Sequence, residues 1–410
     1  MRVVYQLIIF LLSLAIGYLN VLLYRPMPSL AEEQADIINQ LNFLEKELKE
    51  RQLGENMQAL YPEGYVFVYA LYGLSWAQVN LNSADNPALS KRALAEAIYA
   101  FRQVDSEKGR STFSSHMEPP YGVYYQGWNN YLLAKILSSP MDFEQKEALS
   151  LLYFESCRQI AEAFRNSESP YLSSYPGLSW PADSFLAMAS LQIHDQLFPP
   201  KYQQDIALWL QKVKARLDPE NGMIAHRTDA QQGNTLQAPR GGSMTLMLRL
   251  LAEIDLQLAR EQYEHFKAHF KSTALGLPMV REYPKGTFGM GDVDSGPVIL
   301  GTGFAATIVS IGTYRVFGEE AMARAQFNTV HAFGLSQSSE NSRSYLLGQL
   351  PMADAFIAWS RLAPKMVKAS GDESPGLFIK FHFISIITIL LIALPLYRKR
   401  IIQFFKARFS

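Results

Sequence analysis

A repeat marked by prolines is the feature of the sequence that most restricts its fold. Six segments open with proline, glycine or tyrosine and continue into a helix-length stretch that is rich in small and aromatic residues and poor in charge. The marker prolines lie 57, 57, 63, 58 and 54 residues apart, and they are Pro62, Pro119, Pro176, Pro239, Pro297 and Pro351. Self-similarity at a nearly constant period is typical of a chain built from repeated supersecondary units.

More polar segments with amphipathic helical periodicity alternate with the low-charge segments. They cover residues 31–51, 88–104, 142–164, 201–215, 255–271 and 319–333. A helix that is apolar all round is buried, so the low-charge helices belong inside and the amphipathic helices cover them. We therefore predict an all-α fold, an (α/α)6 toroid of six helical hairpins. An open solenoid is the alternative. We favour closure because the first amphipathic helix has no hairpin partner of its own and is free to pair with the last inner helix.

Two apolar stretches frame the repeat. Residues 3–24 and 381–397 contain no Asp, Glu, Lys or Arg, and each is long enough to cross a bilayer. Basic residues follow the second stretch, and under the positive-inside rule they hold the C-terminus in the cytoplasm. We predict four parts along the chain. An N-terminal transmembrane helix at residues 1–25 acts as a signal anchor, and a toroid domain covers residues 26–368. A second transmembrane helix follows at residues 377–397, and residues 398–410 form a basic cytoplasmic tail.

Two spans place the toroid domain outside the cytoplasmic membrane, on its periplasmic or extracellular side, with both termini in the cytoplasm. A lipid bilayer is therefore an expected partner. A cleaved signal peptide is the other interpretation of the N-terminus, with Ser29, Leu30 and Ala31 as the cleavage site. The C-terminal span anchors the protein under either interpretation.

Charge and cysteine content exclude some classes of protein. The chain of 410 residues has 38 basic and 38 acidic side chains, and this balance argues against a nucleic-acid partner. The single cysteine, Cys157, excludes a disulfide framework and a cysteine-rich metal site. Its helical sequence context predicts a packed thiol rather than a nucleophile. We expect neither a metal nor a cofactor.

The unusual side chains cluster before the low-charge helices. In a closed ring these helices run parallel, so their N-terminal ends meet at one mouth. Long loops with charged and aromatic residues at one end, and short turns at the other, are typical of a scaffold with a cleft. The candidate site residues at this end are Glu118, Tyr121, Tyr125, Trp128, Trp180, Asp183, His226, Arg227, Arg240, Glu282, Tyr283, Asp292 and Asp294.

Three aspartates are candidate catalytic groups, and each has a structural alternative. Asp183 in SWPADS follows Pro181, so it is equally well explained as an acid in the first turn of a helix. Asp294, with Ser295, is placed to cap a helix that opens at Pro297. Asp292 lies further from that helix start, so capping does not explain it. The stretch GDVDSGP lacks the longer ligand series of a calcium loop, which disfavours a metal site.

Glycan chemistry fits this combination of residues. Carboxylates perform the acid–base steps of glycosidic bond cleavage. We expect one of Asp183 and Asp294 to protonate the glycosidic oxygen, while the other, or Asp292, activates water or attacks. Aromatic side chains stack on sugar rings, and Trp180, Tyr125 and Trp128 are the candidates.

The basic candidates have two interpretations each. Arginines near helix N-termini, Arg227 and Arg240 among them, favour an anionic substrate such as a uronic-acid sugar, or else pair with nearby carboxylates. His226 is either a solvated loop residue or a base.

The six hairpins, with SWPADS and GDVDSGP at two inner-helix starts, resemble the six-hairpin glycosidase-like superfamily of (α/α)6 toroids. The resemblance covers residues 31 to about 365 and rests on architecture. It implies a glycoside hydrolase, polysaccharide lyase or sugar epimerase with its active site in the mouth, and a general acid at an inner-helix start, here Asp183 or Asp294. A weaker resemblance is to linalool dehydratase-isomerase, a toroid that acts on a terpene alcohol. It implies catalytic cysteines, whereas this chain has only Cys157.

The prediction is thus a membrane-anchored, carbohydrate-active enzyme of the glycoside hydrolase type that acts on an envelope or extracellular glycan. A polysaccharide lyase or epimerase, using Tyr or His to remove a proton from a uronate, is one alternative. A terpenoid dehydratase or isomerase is a second. A protein of another class, which binds glycan or scaffolds an envelope complex without catalysis, is the third.

Overall fold

The chain folds almost entirely into helices. The computed structural model describes residues 2–24, 28–292, 295–368 and 378–408. Within these residues there are sixteen α-helices and three two-stranded antiparallel sheets. The all-α class predicted from the repeat is confirmed.

Six low-charge helices occupy the positions that the proline-marked repeat predicts, and we call them the inner helices. Most residues of the first two are buried on every side, as expected for helices that are apolar all round. Numbered along the chain with all other helices, they are α4 (Gly64–Asn82), α7 (Gly122–Leu137), α9 (Pro181–Leu197), α11 (Gly241–Ile254), α13 (Phe304–Val316) and α15 (Pro351–Arg361).

Six amphipathic helices alternate with the inner ones, and we call them the outer helices. Each begins and ends within a few residues of the predicted bounds. They are α2 (Leu30–Glu50), α5 (Pro87–Val104), α8 (Lys146–Arg165), α10 (Gln203–Lys214), α12 (Leu256–His269) and α14 (Glu320–Phe333). Two short helices were not predicted, α3 (Leu53–Leu60) and α6 (Glu107–Arg110).

The inner helices contact one another in chain order. α4 contacts α7, α7 contacts α9, α9 contacts α11, α11 contacts α13, and α13 contacts α15. The last inner helix, α15, also contacts α4, and the first outer helix, α2, packs against both of them. The order of contacts therefore returns to the helix with which it began.

Aromatic side chains fill the space between the inner helices. The Phe67 ring of α4 lies 4.9 Å from Trp128 of α7 and 5.1 Å from Phe356 of α15, measured between ring centroids. Trp128 in turn lies 6.5 Å from Trp359 of α15. Three inner helices thus meet through one aromatic cluster.

The residues that precede the inner helices contact each other, and we call this the mouth end of the domain. Tyr175, before α9, donates a hydrogen bond to Glu63, before α4, at 2.6 Å. The Val123 amide at the start of α7 donates to the Ser173 carbonyl at 3.0 Å. Three hairpins lie in the connections that lead from an outer helix to the next inner one. Their strands are β1 (Arg227–Thr228), β2 (Thr235–Gln237), β3 (Lys271–Ala274), β4 (Leu277–Val280), β5 (Gln337–Ser338) and β6 (Arg343–Ser344).

The fifth inner helix begins later than the sequence indicates. We expected it to open at Pro297, with Gly301 and Gly303 inside it, but α13 begins at Phe304. Residues 301 and 303 instead form backbone hydrogen bonds with the end of β4 and the residues that follow it. The Glu282 amide donates to the Gly301 carbonyl at 3.1 Å, and the Gly303 amide donates to the Val280 carbonyl at 3.0 Å. Gly301 adopts a φ of +80°, which favours glycine and excludes a right-handed helix there.

Two long apolar helices lie at the ends of the chain, α1 (Arg2–Leu23) and α16 (Ile379–Arg408). Within the described residues, Val3–Leu23 and Ile379–Tyr397 are the two helical stretches long and apolar enough to cross a membrane. The helices pack against each other, and the Asn20 side chain donates to Ser385 at 3.0 Å. α16 continues through Arg408, so the segment predicted as a basic tail is helical up to that residue.

Candidate functional site

One arginine at the mouth end binds two carboxylates. Arg240, the residue before α11, donates from Nε to Glu282 Oε1 at 2.8 Å and from Nη1 to Asp292. Glu282 comes directly after Arg281 at the end of the β3–β4 hairpin, and its carbonyl accepts the Gly241 amide at 2.9 Å. Asp292 belongs to the loop that leads into α13. The starts of two adjacent inner helices thus hold this group together.

The two carboxylates have different surroundings and different pKa values. Glu282 is 1% exposed, and burial raises its pKa to about 7 although Arg240 acts to lower it. The Asp292 side chain is 45% exposed. Partial burial acts to raise its pKa, but hydrogen bonds from Arg240 and from the Ser295 amide outweigh burial and lower the pKa to about 2. One positive charge serves two carboxylates, so the more buried one keeps its proton to higher pH.

The second oxygen of Glu282 lies between two glycines. A Cβ at Gly242, in the first turn of α11, would lie 3.6 Å from Oε2, and a Cβ at Gly303 would lie only 2.5 Å from it. Glu282 Oε2 and Arg240 Nη2 are both buried and have no hydrogen-bond partner in the described part of the chain. Buried polar atoms of this kind need an explanation. A ligand that approaches this carboxyl and guanidinium supplies one.

His226 is held as a neutral imidazole beside the same arginine. Its Nε2 lies 3.4 Å from Arg240 Nη1, and because a guanidinium only donates, Nε2 is the acceptor. Nδ1 then carries the proton and donates to Ser243 Oγ at 2.5 Å. Burial, reinforced by the charge of Arg240, lowers the pKa of His226 to about 3. Tyr283 completes this group, with its ring centroid 5.3 Å from the Arg240 guanidinium.

Aromatic rings form a second group at the mouth end. The Tyr124 ring stacks on Phe113, with centroids 5.6 Å apart, and lies 6.4 Å from Tyr175. Trp180, the residue before α9, points edge-on to Tyr175 at 6.2 Å. Burial raises the pKa of Tyr124 well above its ordinary value, and the nearby acids Glu63 and Asp183 add to this effect.

The two groups meet where their loops pair. Ser179 and Thr228 form a β-bridge in which the Thr228 amide donates to the Ser179 carbonyl at 3.1 Å. Trp180 follows Ser179 directly, and Arg227 precedes Thr228. Arg227 is half-buried, and its buried Nε has no hydrogen-bond partner within the described ranges. The aromatic group and the Arg240 group are therefore neighbours at one end of the domain.

Asp183 and Asp292 have different hydrogen-bond partners. Asp183 lies in the first turn of α9, where Oδ2 accepts a hydrogen bond from Ser174 Oγ at 2.5 Å, whereas Asp292 is bound to Arg240. Asp294 falls in the gap between residues 292 and 295, outside the described residues. Ser295 does not cap α13, which begins at Phe304. It forms a turn with Asp292 instead, its amide donating to Oδ1 at 3.0 Å.

The predicted sugar-stacking residues differ in exposure. Trp180 and Tyr121 are half-buried, and Glu118 is exposed. Tyr125 and Trp128 are each only 1% exposed. The Tyr125 hydroxyl accepts from Arg110 at 3.1 Å, and Trp128 belongs to the aromatic cluster between the inner helices. Neighbouring side chains therefore cover both rings.

A small cavity lies at the opposite end, where the inner helices finish. It measures about 20 Å³, room for a single water but not for a sugar ring. Among its lining residues, Tyr131 and Lys135 each bond to Glu253 at 2.7 Å. Arg249 and Trp359 also line it, with the guanidinium 3.3 Å from the Trp359 ring centroid.

Two contacts of the site were not predicted, those of Ser174 and Ser243. Serine is common near helix starts, so neither residue carries a signal in the sequence.

Cys157 is fully buried and accepts a hydrogen bond from Asn130 at 3.3 Å. Burial raises the pKa of its thiol to about 12. In the ranges that the structure covers, no group of three or more His, Cys, Asp and Glu side chains is arranged to hold a metal ion.

Comparison of the chain with protein-family models gives no match, and comparison with curated proteins gives none either.

Proposed function

We propose that the protein is a membrane-anchored enzyme whose six hairpins form an (α/α)6 toroid, and whose mouth end performs acid–base chemistry on a glycan outside the cytoplasmic membrane. The cyclic order of inner-helix contacts supports the toroid. The two apolar terminal helices support the membrane anchor, and the basic residues after the second support a cytoplasmic C-terminus.

The carboxylate pair on Arg240 is the observation that carries the proposal. Environments that push the pKa values of two neighbouring carboxyls apart assign them the roles of acid and base. Glu282, with a pKa of about 7, is protonated in an appreciable fraction of molecules at neutral pH, whereas Asp292, with a pKa of about 2, is ionised. Glu282 therefore takes the role of proton donor that the sequence suggested for Asp183 or Asp294.

In this mechanism Glu282 protonates the glycosidic oxygen, and Asp292 directs a water molecule to the sugar or stabilises its developing positive charge. Arg240 holds both carboxylates in place. Trp180 and Tyr121, the half-buried aromatic residues, contact the sugar faces. Asp183 stabilises the start of α9 through Ser174 and takes no part in proton transfer.

His226 favours a second candidate, a uronate lyase or epimerase. An imidazole with a pKa of about 3 is unprotonated at neutral pH, so it has the form of a base, though a weak one, and it must exchange its contact with Arg240 for the proton of the substrate. Arg227 and Arg240 lie beside it and are suited to neutralise the carboxylate of a uronic acid, which makes the neighbouring C–H bond more acidic. The terpenoid alternative gains no support, because Cys157 is a buried thiol with a pKa of about 12.

The test uses the full-length protein in lipid nanodiscs with soluble polysaccharides, both neutral and uronate-containing. A hydrolase releases new reducing ends, whereas a lyase also produces an unsaturated uronate that absorbs in the ultraviolet. We expect Glu282→Gln to lower hydrolysis at least ~100-fold, the range for loss of a general acid. Asp183→Asn is the matched control and should retain activity.

Three results would count against the hydrolase. Full activity of Glu282→Gln would remove the proposed acid. Loss of activity in His226→Gln with an unsaturated product would establish the lyase. Binding of a polysaccharide that the wild-type protein leaves intact would favour a non-catalytic glycan-binding protein.

A further inference from the structure

The two candidate spans run antiparallel and meet the domain at one end. The Tyr5 hydroxyl near the start of α1 donates to the Ile392 carbonyl of α16 at 3.2 Å. At the other end, Tyr24 stacks on His382 with ring centroids 4.9 Å apart. Tyrosine is enriched at membrane–water interfaces, so Tyr24 marks the boundary of the spans on the side of the domain.

The contacts of α14 show which end of the domain the spans approach. This outer helix is joined to the C-terminal end of α13 by a short turn, so it runs in the opposite direction and its last residue, Phe333, lies at the mouth end. Asn328, in the middle of α14, donates to the Leu23 carbonyl at the end of α1 at 3.0 Å.

The start of α16 lies beside the end of α1 and beside the last residue of α14. At its beginning Phe378 packs edge-on against Tyr24, with ring centroids 5.8 Å apart. Phe381, further along α16, packs against Phe333 at 5.9 Å. Moving outward along the span therefore leads from the middle of α14 to its mouth-end terminus. The spans leave the domain on the side of the mouth.

Exposed apolar side chains are present at this same end. Phe288 is 92% exposed and Met290 is 91% exposed, both in the loop between β4 and α13. Together with leucines of the neighbouring loops they form what we call the apolar rim, which consists of Leu275, Phe288, Met290, Leu300, Leu335 and Leu347.

The apolar rim meets the spans at Leu275. Leu275 and Gly276 form the tip of the β3–β4 hairpin, and a Cβ on Gly276 would lie 2.6 Å from the Lys380 side chain at the start of α16. The other rim residues lie in the loops that lead into α13 and α15, on either side of α14.

The backbone of the rim also places leucine where glycine is favoured. The φ angles of Leu275, Leu300, Leu335 and Leu347 are +53°, +53°, +45° and +56°. A left-handed conformation is strained for a residue with a Cβ, and glycine or asparagine adopts it more easily. Strained backbone of this kind clusters at functional sites, so its recurrence at four partly exposed leucines supports a function for the loops that carry them.

We propose that the apolar rim docks into the surface of the lipid bilayer that the two spans cross, so that the mouth end faces the membrane. Phe288, Met290 and the rim leucines then enter the boundary between headgroups and acyl chains, where apolar side chains are stabilised. An exposed apolar surface of this kind marks an interaction site. Because Leu275 lies beside the start of α16, we infer that the partner of this surface is the bilayer rather than a soluble protein.

The docked orientation also assigns a class of substrate. A mouth that faces the membrane receives molecules anchored in the outer leaflet, so the glycan of the preceding section is attached to a lipid. This extension rests on the enzymatic activity of the proposed function, whereas the docking of the rim rests only on its membrane anchor.

Site-specific labelling tests the docking. Cys157 is fully buried, so a single introduced cysteine reacts selectively with a fluorophore. Phe288→Cys and Leu347→Cys report on the rim, and Leu151→Cys is the matched control because Leu151 is 64% exposed near the start of α8, towards the opposite end. The labelled full-length proteins are placed in phosphatidylcholine nanodiscs that contain a lipid with a quencher on its acyl chain.

We expect strong quenching at positions 288 and 347 and none at position 151. Equal quenching at all three positions, or none at positions 288 and 347, would overturn the docking. All three side chains are largely exposed, so the substitutions do not test folding.

A kinetic comparison tests the substrate class. Phe288→Asp with Leu347→Asp should lower turnover of an oligosaccharide attached to a lipid in vesicles at least ~10-fold, and should leave turnover of the same free oligosaccharide unchanged. Equal loss on both substrates would overturn the extension to a lipid-attached glycan. Absence of any turnover by the wild-type protein would instead count against the proposed function, and the quenching result would stand.

Discussion

Sharing of the Arg240 charge is the residue-scale feature on which the candidate site depends. A lone buried carboxylate beside an arginine would form an ion pair and stay charged. Here Asp292 accepts from the same guanidinium and receives an additional hydrogen bond from the Ser295 amide at 3.0 Å. Glu282 is more deeply buried, and the cost of burying its charge outweighs the help of Arg240 and of the Gly242 backbone, so its protonated form is favoured.

The pH dependence of stability tests this arrangement through Glu282→Gln. The pKa of Glu282 is about 7 in the folded protein, and an unfolded glutamate has a pKa of about 4.3. Between these values the unfolded state loses its proton while the folded state retains it, so stability falls as the pH rises. The free energy of unfolding of wild type minus that of the variant should therefore decrease from about pH 4 to about pH 7 and then level off.

Thermal unfolding at a series of pH values gives this difference. His226, whose pKa of about 3 makes stability fall as the pH drops below ~6.5, is present in both proteins and cancels. A difference that is independent of pH would show that folding leaves the pKa of Glu282 unchanged, and the proton donor of the proposed mechanism would be lost.

The start of α13 shows, at the scale of elements, what the sequence predicts and what it does not. Marker prolines predicted five of the six inner-helix starts, and amphipathic periodicity predicted all six outer helices. Each of these signals can be read within one short segment of the sequence. The start at Phe304 depends on backbone hydrogen bonds that join residues 301 and 303 to residues 282 and 280. Pairing of this kind joins distant segments, so no local pattern reveals it.

The candidate site follows the same division. The sequence placed His226, Arg240, Glu282 and Asp292 at one end of the domain, because all precede inner helices. It did not select Glu282 as the acid, since that role arises from burial and from sharing Arg240 with Asp292. Stacking by Trp128 was expected from its position near a helix start, but the aromatic cluster between α4, α7 and α15 covers its ring.

Glycine substitutions test the packing of two helix starts around the Glu282 carboxyl. A Cβ at Gly303 would lie 2.5 Å from Oε2, and φ at this residue is −86°, so alanine is acceptable to the backbone but not to the carboxyl. We expect Gly303→Ala to destabilise the protein by roughly 1–3 kcal/mol, the cost of overpacking, in thermal unfolding measurements.

Gly242→Ala is the matched control on the other side of the same carboxyl. Its Cβ would lie 3.6 Å from Oε2, an ordinary contact, and alanine favours a helix more than glycine does. This variant should be at least as stable as the wild-type protein. If both alanines had the same effect, the close contact between Gly303 and Glu282 would be refuted.

At the scale of the whole molecule, the first outer helix connects the two ends of the repeat. The Gln40 side chain of α2 donates to Asp354 of α15 at 3.0 Å, across 314 positions of sequence. One turn earlier in α2, Asp36 pairs with two buried arginines. These are Arg343 in β6 and Arg361 at the end of α15. The Arg361 Nη2 atom lies 2.8 Å from Asp36 Oδ2. The amphipathic helix without a hairpin partner of its own therefore binds the last inner helix.

Asp36→Ala measures what this connection contributes. The substitution leaves Arg361, whose side chain is only 3% exposed, without the Asp36 carboxylate. It removes the same carboxylate from Arg343. Removing one partner of a buried ion pair costs about 3–5 kcal/mol, because a charge remains in a poorly solvated position. We expect a loss of this size in the free energy of unfolding of the full-length protein in nanodiscs.

Glu155→Ala is the control, because Glu155 pairs with Arg158 on the surface of α8, and that variant should unfold like the wild-type protein. If Asp36→Ala were as stable as the control, α2 would not hold the first and last hairpins together, and the contact between α15 and α4 alone would have to close the ring.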